Sequence, residues 1–554
     1  MTEKKHTIKP YPLGAHVEDG VIRFAYASGK KDCGILIYDR KSGKKTHRVP
    51  FRQEERMGNV YCKYLELEPE NVGYQFYEGE RTVPDLHAQG FLRKPAYGKI
   101  RKPADRIAVF PNEDFDWEQD MHPMLPYEDS TCYCLHVRGF TMHASSQVTH
   151  RGTFAGVVEK LDYLQELGVG AIWLSPFNDS PNYDNGYDVS DYYKVMEEAG
   201  TMEELEELIA ACEKREIVVM MDLVLNHSSH LHPWFLEARK DRNSKYHDFY
   251  IWKEGTKEQP PEGGGAFFGG STWEWVPEVQ EYYYHSFSVM QPDLNWKNPS
   301  LRKELYRMIQ FWMDKGIRGF RLDAIDNIVK DGHGGNDTHS EQIHTYLMEM
   351  NQNTYGKSEQ ILTVGETGGA TVEMAQQYSD PESQELSMIF QFELMGIDGI
   401  RSGNWDPKPY TLPQLKQIFE KWQTGLEEKG WNSLFWGNHD FPRVVSRFGN
   451  DREPYREKSA KMLAVLLHGM KGTPYIYQGE EIGMTNVSGL RIEDYQDIES
   501  VNFAEDRKKE GWEEEKIRTY LARNSRDHAR TPMQWNAEKH AGFTAGTPDR
   551  KSVV

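Results

Sequence analysis

The chain has 554 residues, 38 % of them hydrophobic and 12 % aromatic, which is enough for a sizeable core and excludes wholesale disorder. Its 66 basic and 86 acidic residues leave a formal charge of −20, which argues against nucleic acid or an anionic membrane as the main partner. Mean hydropathy is −0.75, and no apolar run approaches the ~20 residues of a membrane span. The start, Met1-Thr-Glu-Lys-Lys-His6, has charge but no apolar segment behind it, so no signal peptide is expected. The five cysteines (Cys33, Cys62, Cys132, Cys134 and Cys212) are sparse and odd in number. They fit reduced thiols in a cytoplasm better than a disulfide framework.

Residues 1–125 read as an all-β unit, a small β-sandwich. Val21-Ile-Arg-Phe-Ala-Tyr-Ala27 and Gly34-Ile-Leu-Ile-Tyr38 alternate or run apolar between Gly, Asn, Asp and Lys clusters. A Pro- and acid-rich linker follows, from Phe110 to Pro126. From about residue 130 strands and helices alternate. Cys132 to Val137 is a strand, Phe154 to Leu167 a helix, Ala171 to Leu174 a strand, Met202 to Lys214 a helix, and Ile217 to Val224 a strand. The stretch 228–297 is irregular and rich in Gly, Pro and aromatics. Helix Leu301 to Lys315 leads to strand Gly319 to Asp323. Further strands are Ile361–Val364, Met388–Phe392, Ser433–Trp436 and Pro474–Tyr477. Eight buried strands alternating with helices predict an α/β fold, a parallel (β/α)8 barrel over 126–227 and 298–548, with 228–297 as a subdomain inserted after the third strand.

In such a barrel the chemistry sits at the C-terminal ends of the strands. Those ends carry Asp184, then Asp222, Asn226 and His227, then Arg321 and Asp323, then Glu366, and finally Asn438, His439 and Asp440. One carboxylate at a strand end serves as a helix cap; polar groups ending five of eight strands exceed that need. Converging acids without a Cys or His metal cluster suggest glycoside hydrolysis, in which one carboxyl attacks the anomeric carbon and a second protonates the leaving oxygen.

Asp222-Leu-Val-Leu-Asn-His227, Gly319-Phe-Arg-Leu-Asp-Ala324, Val364-Gly-Glu366 and Trp436-Gly-Asn-His-Asp440 resemble, in order, the signatures of the α-amylase family of glycoside hydrolases. The resemblance implies Asp323 as nucleophile, Glu366 as general acid/base and Asp440 as the group that grips sugar hydroxyls and distorts the ring. Arg321 would orient Asp323, and Asp222, His227 and His439 would line the same glucose site. Between about 157 and 548, Ser180-Pro-Asn-Tyr-Asp-Asn-Gly-Tyr-Asp188, Gln291-Pro-Asp-Leu-Asn-Trp296, Lys471-Gly-Thr-Pro-Tyr-Ile-Tyr-Gln-Gly479 and Ala529-Arg-Thr-Pro-Met-Gln-Trp535 resemble the oligo-1,6-glucosidase and α-glucosidase subgroup. That implies exo-acting removal of glucose from the non-reducing ends of α-glucan oligosaccharides. Asp184 and Arg530 would form a salt-bridged floor to the glucose pocket, and Tyr187 would stack on the sugar. Ala324 after the nucleophile leans to α-1,4 or mixed linkage, where Val accompanies α-1,6. Thr367, Gly368, Gly437 and Phe441 depart from the subgroup's commonest residues and bear on the aglycone site.

The front of the chain is different. Tyr11-Pro-Leu-Gly-Ala-His-Val-Glu-Asp-Gly20 and Tyr133-Cys-Leu-His-Val-Arg-Gly-Phe-Thr141 resemble pullulanase-type debranching enzymes, which implies that the sandwich of residues 1–125 is carbohydrate-binding-like. Either a debranching-type front is combined naturally with a glucosidase barrel, or the two are joined near Glu159–Gly168. The subgroup's Ca²⁺ loop after the first strand is replaced by Thr141-Met-His-Ala-Ser-Ser-Gln-Val-Thr-His-Arg-Gly152, which has no carboxylate, so neither a metal there nor any cofactor is expected. The last barrel helix and a C-terminal β-domain are not recognisable, and 549–554 reads as a non-native tail. An endo-acting debranching enzyme and a non-catalytic binding protein on the same fold stay open as alternatives. The sequence does not indicate an oligomeric state.

Overall fold

The computed structural model describes residues 2–3, 8–18, 20–88, 90–92, 106–110, 130–358, 361–399 and 405–536. Most of the expected linker to Pro126, the end of the barrel segment (537–548) and the tail 549–554 lie outside these residues. The chain divides into two compact units, 1–123 and 124–554.

The first unit is built from two antiparallel sheets. One runs Thr2–Glu3, Val60–Glu66, Val21–Ala27, Gly14–Glu18, with Arg56–Met57 beside Val60–Glu66. The other runs Gly90–Phe91, Ala108–Val109, Val72–Glu78, Cys33–Asp39, Lys45–Pro50, with Arg81–Val83 beside Val72–Glu78. Ile22 and Phe24 from the first sheet and Ile35, Ile37 and Phe76 from the second share one buried cluster. The two sheets thus bury their apolar faces against each other, as a sandwich requires.

The second unit is a barrel of eight parallel strands: β1 Cys132–Leu135, β2 Ala171–Leu174, β3 Val218–Val224, β4 Gly319–Asp323, β5 Leu362–Thr367, β6 Met388–Gln391, β7 Ser433–Leu434 and β8 Thr473–Tyr477. The sheet order is β6-β5-β4-β3-β2-β1-β8-β7, and a parallel bridge between Ile389 and Asn432 closes β6 on the segment leading into β7. Strand residues alternate between two clusters. Cys132, Cys134, Ala171, Trp173, Met220, Val364, Met388, Phe390 and Tyr475 pack together inside. Tyr133, Leu135, Ile172, Leu174, Val219, Met221, Phe320 and Leu322 face outward into the core beneath the helices. At Gly319 an added Cβ would meet Met220 Cγ at 2.3 Å, so the close packing of β3 on β4 admits no side chain there.

Local signals explain the helices. Met202–Glu213 starts from a capping box in which Thr201 and Glu204 satisfy each other's backbone N–H groups. Pro299–Asp314 starts from Asn298, whose side chain accepts from Ser300 and Leu301, with Pro299 at the first helical position. Several elements differ from expectation: β7 stops at Leu434 rather than Trp436, and β5 runs on to Thr367 rather than ending at Val364. The first strand stops at Leu135, and Val137 already opens a short helix to Thr141. The helix expected from Phe154 to Leu167 is two pieces, Phe154–Val158 and Leu161–Glu166. At the break the Glu159 carboxylate accepts the N–H groups of Thr149 and His150, and Lys160 leaves helical geometry at ψ 4°. Apolar spacing runs through this break because both pieces cover the same core. Within 228–297 a short helix Pro233–Ala238 precedes a three-stranded antiparallel sheet of Trp252–Glu254, Glu281–Tyr284 and Trp273–Val276. Among the described residues, no helix is long and apolar enough to cross a membrane.

Candidate active site

The alternation that fills the barrel also builds the site. The inward row of β3 continues from Met220 to Asp222, that of β4 from Gly319 to Arg321 and Asp323, and that of β5 from Val364 to Glu366. Register places Arg321 beside Asp222 on one flank and beside Val364 on the other. Apolar side chains fill the lower layers, and charged ones emerge where the strands end.

Arg321 is the hub. Its Nη1 is 2.8 Å from Asp222 Oδ1 and 2.7 Å from Asp323 Oδ1, and its Nη2 pairs with Glu366 Oε2. The guanidinium is buried, with the rings of Trp173 and Tyr187 centred 5.3 and 5.5 Å away. Tyr187 OH donates to Asp222 Oδ2 at 2.8 Å, accepts from Arg321, and lies 2.7 Å from His439 Nε2. Three carboxylates facing one guanidinium leave excess negative charge. Burial, and then the charges of Glu366, Asp222 and Asp184, push the Asp323 carboxyl well up, with Arg321 opposing. Burial also raises Asp222.

The far side of the mouth has the opposite balance. Arg526 Nη1 and Arg530 Nη2 each lie 2.9 Å from Asp440 Oδ1, and His439 Nε2 lies 3.2 Å from its Oδ2. Burial would raise the Asp440 carboxyl, but His439, Arg526 and Arg530 outweigh it and hold it well below the usual range. The two acids therefore differ in electrostatic setting. Asp440 is held as an anion; Asp323 sits where charge is crowded, and a positive charge developing nearby would relieve that crowding.

The family whose description is "Alpha amylase, catalytic domain" matches residues 135–550. This chain belongs to the alpha-amylase family. It is 48 % identical over 437 residues to the oligo-1,6-glucosidase of Bacillus cereus, covering 76 % of this chain and 77 % of that protein. It is 51 % identical over 401 residues to the glucan 1,6-alpha-glucosidase of Streptococcus pneumoniae, covering 72 % and 74 %. Among solved structures it is similar to the trehalose-6-phosphate hydrolase of Bacillus licheniformis, with a TM-score of 0.71 and 44 % identity over 76 % of this chain and 77 % of that one.

The pocket floor of this alpha-amylase family member departs from expectation. Asp184 and Arg530 do not form an ion pair within 4.0 Å. Arg530 is divided between Asp440 and Asp497 (3.2 Å), and its Nε donates to the His439 carbonyl. Asp184 instead accepts from Gln291 Nε2 at 3.0 Å. The cause is competition: Asp497, fully buried as a side chain, binds both Arg526 and Arg530 and turns them toward Asp440. His227 donates from Nε2 to the Tyr187 carbonyl, and burial keeps the imidazole neutral by lowering its pKa. Tyr187 stacks on the His439 ring, 5.2 Å between centroids and 14° between planes.

Arg526, Asp497, Gln291 and Trp173 escaped the sequence reasoning. Gln291 sits in a motif noted for resemblance alone. Arg526 lies four residues before Arg530, a spacing that would bring two cations together on a helical turn. Nothing in the sequence marks Asp497, because its role depends on where the segment after β8 returns to the mouth.

Residues 141–152 offer hydroxyl, imidazole and backbone groups but no carboxylate, a poor donor set for Ca²⁺. Among the described residues, no group of three or more His, Cys, Asp or Glu side chains is arranged to hold a metal ion.

Ala324, just after Asp323, takes a left-handed conformation (φ 42°, ψ 41°), and its N–H donates to Glu366 Oε2 at 3.0 Å. This sharp exit from β4 turns the chain so that Asp326 comes to lie, 3 % exposed, against the Gly369 N–H. Burial pushes the Asp326 carboxyl up to about 7, with Glu366 adding to it and the N–H groups of Gly368 and Gly369 opposing. Unfolded, it would titrate near ~3.9. The folded protein thus holds this proton more tightly, so ionisation works against folding as pH rises from ~4 to about 7, and the full penalty persists above that. Asp326→Asn should therefore increase unfolding free energy in urea at pH 8, by up to about 4 kcal/mol, and change it little at pH 4. An equal effect at both pH values would exclude the carboxyl charge as its cause.

Proposed function

We propose that this protein is a retaining glycoside hydrolase that releases glucose from the non-reducing ends of α-glucosidic oligosaccharides by double displacement. The observation that carries it is the single buried guanidinium of Arg321 gathering Asp222, Asp323 and Glu366 at the mouth of the barrel, opposite Asp440. Asp323 is the nucleophile, oriented by Arg321. Glu366 protonates the leaving oxygen and then activates water. Asp440, Asp222, His227 and His439 bind the hydroxyls of the glucose being cleaved, Tyr187 stacks on it, and Asp184 and Arg530 meet its non-reducing end. The names of the B. cereus and S. pneumoniae relatives bring α-1,6 bonds to this chain, and Ala324 beside the nucleophile leaves room for α-1,4 bonds as well. Residues 1–125 are a carbohydrate-binding-like domain, 228–297 is a subdomain inserted in the barrel, and the enzyme acts in the cytoplasm on soluble oligosaccharides.

A panel of maltose, isomaltose, sucrose, pullulan and nitrophenyl α-glucoside tests this. Glucose should appear from the first two and from the nitrophenyl glucoside; oligosaccharides released from pullulan without glucose would instead mark an endo-acting enzyme. Asp184→Ala should cost about 10-fold or more in kcat/KM on maltose, because charge-assisted hydrogen bonds to the terminal glucose are lost. It should cost less on soluble starch. An unchanged preference between the two substrates would remove Asp184 from the pocket.

A further inference from the structure

Asp326 lies buried just beyond the nucleophile, and the double displacement described above does not use it. Two hydrogen bonds clasp the turn after β4 to the end of β5. The Ala324 N–H donates to Glu366 Oε2 at 3.0 Å, and the Gly369 N–H donates to Asp326 Oδ2 at 3.4 Å. Between these clasps Ile325 packs on β5, where a Cβ added at Gly365 would meet Ile325 Cγ2 at 3.1 Å. The Asp326 carboxyl is therefore held against the turn that directly follows Glu366, and the charge of Glu366 acts on it. Such an effect between two sites is mutual.

Glu366 meets opposing demands. It must deliver a proton in the first step, yet its Oε2 faces the Arg321 guanidinium and the Ala324 N–H, both of which favour the anion. The surroundings of Asp326 favour the acid. Among the described residues, no Lys, Arg or His lies within 4.0 Å of its carboxyl, and the N–H groups that face it belong to the backbone of Gly368 and Gly369. Lys330 acts on Asp326 from farther off but is bonded to Asp293 at 2.6 Å. On the remaining side lies the buried Tyr378, whose ring packs 4.6 Å from His344, itself 2.9 Å from Glu385.

We propose that Asp326 is a positioning residue for the acid/base: the two clasped carboxyls hold one proton between them, and that shared proton keeps Glu366 able to protonate the leaving oxygen in neutral solution. This rests on the glycosidase function proposed above. In the first step the proton passes from Glu366 to the glycosidic oxygen as the bond to the anomeric carbon breaks. In the second, water gives its hydroxyl to that carbon and its proton to Glu366. Asp326 touches no reacting atom. Burial and the charge of Glu366 carry the Asp326 proton up to about 7, so the pair keeps a proton until then. Without Asp326, Glu366 titrates against Arg321, Asp323 and the Ala324 N–H alone, and the acid is lost at lower pH.

The pH profiles of kcat/KM decide this. With maltose, the basic limb of Asp326→Asn should lie about 1 pH unit below that of the wild type. With nitrophenyl α-glucoside, whose leaving group needs no proton, the basic side should not move. An unmoved limb on maltose, or the same shift on both substrates, would overturn the role. Carbon-13 NMR of the Glu366 carboxyl decides it even if the chain hydrolyses no glucoside. Its signal is identified in protein labelled with δ-13C glutamate by its absence from Glu366→Gln. In the wild type that signal should move a second time near pH 7, as Asp326 ionises, and this step should vanish in Asp326→Asn. Identical titration curves in the two proteins would refute the shared proton without reference to catalysis.

Discussion

Asp323→Asn should abolish turnover of every α-glucoside, by on the order of 10⁴-fold or more in kcat. An amide oxygen is a far weaker nucleophile than a carboxylate and cannot give the glycosyl ester that a retaining mechanism passes through. The loss should come without unfolding. Asp323 is one of three carboxylates crowded on Arg321, and its burial and neighbours already oppose its charge. Replacing it with a neutral isostere lowers the repulsion while leaving Arg321 paired to Asp222 and Glu366. Thermal unfolding should therefore show a Tm equal to or above that of the wild type. Substrate binding should survive, since Asp440, His439 and Arg530 form a separately bonded group. Retention of more than a few per cent of activity would show that another group attacks the sugar. A collapsed Tm would show instead that the Asp323–Arg321 bond holds the mouth together.

Glu366→Gln should reduce hydrolysis of maltose or isomaltose by about 10²- to 10⁴-fold and that of nitrophenyl α-glucoside by much less in the first, bond-breaking step. A sugar alkoxide needs a proton to leave; a nitrophenolate does not. The same substitution removes the base for the second step, so the covalent intermediate should accumulate, visible as a burst of nitrophenol followed by slow turnover. Glu366 has a second contact to consider, because its Oε2 also accepts the N–H of Ala324. The amide oxygen of Gln can accept that bond, so the left-handed turn after β4 is kept and the measured loss reports proton transfer. Equal losses on both kinds of substrate, with no burst, would rule Glu366 out as the acid/base.

How far the site was legible in the sequence follows from its geometry. Strand alternation has a period of two, so a polar residue two positions beyond an inward apolar one must face the same way. Met220 and Asp222, and Val364 and Glu366, obey this within single strands, Arg321 and Asp323 share a row by the same period, and register between neighbouring strands then brings them into contact. Those residues are placed by local sequence alone. Asp440 could be placed because it lies in a short signature just beyond β7. For Arg530 the sequence points to Asp184 as its partner, whereas the structure pairs it with Asp440 and Asp497. It lies 53 residues beyond the end of β8, after the helices Ile498–Lys509 and Glu514–Asn524, and no local rule fixes where such an excursion returns.

The sequence alone therefore determined the barrel, its two-unit arrangement in broad outline, and the carboxylates at the strand ends, because hydrophobic period and strand-end chemistry are local properties written within a few residues of each other. Only the tertiary structure decided how the cations are shared. Arg321 could have served Asp323 alone, yet it holds three carboxylates; Arg530 could have closed on Asp184, yet Asp497 and Asp440 hold it. Ion-pair partners are chosen by distance and burial among groups remote in sequence, and the energy of each pair depends on every other charge in the same low-dielectric space. The turn of Asp184 toward Gln291, 107 residues away, has the same origin: it depends on a contact made after the chain has folded back on itself.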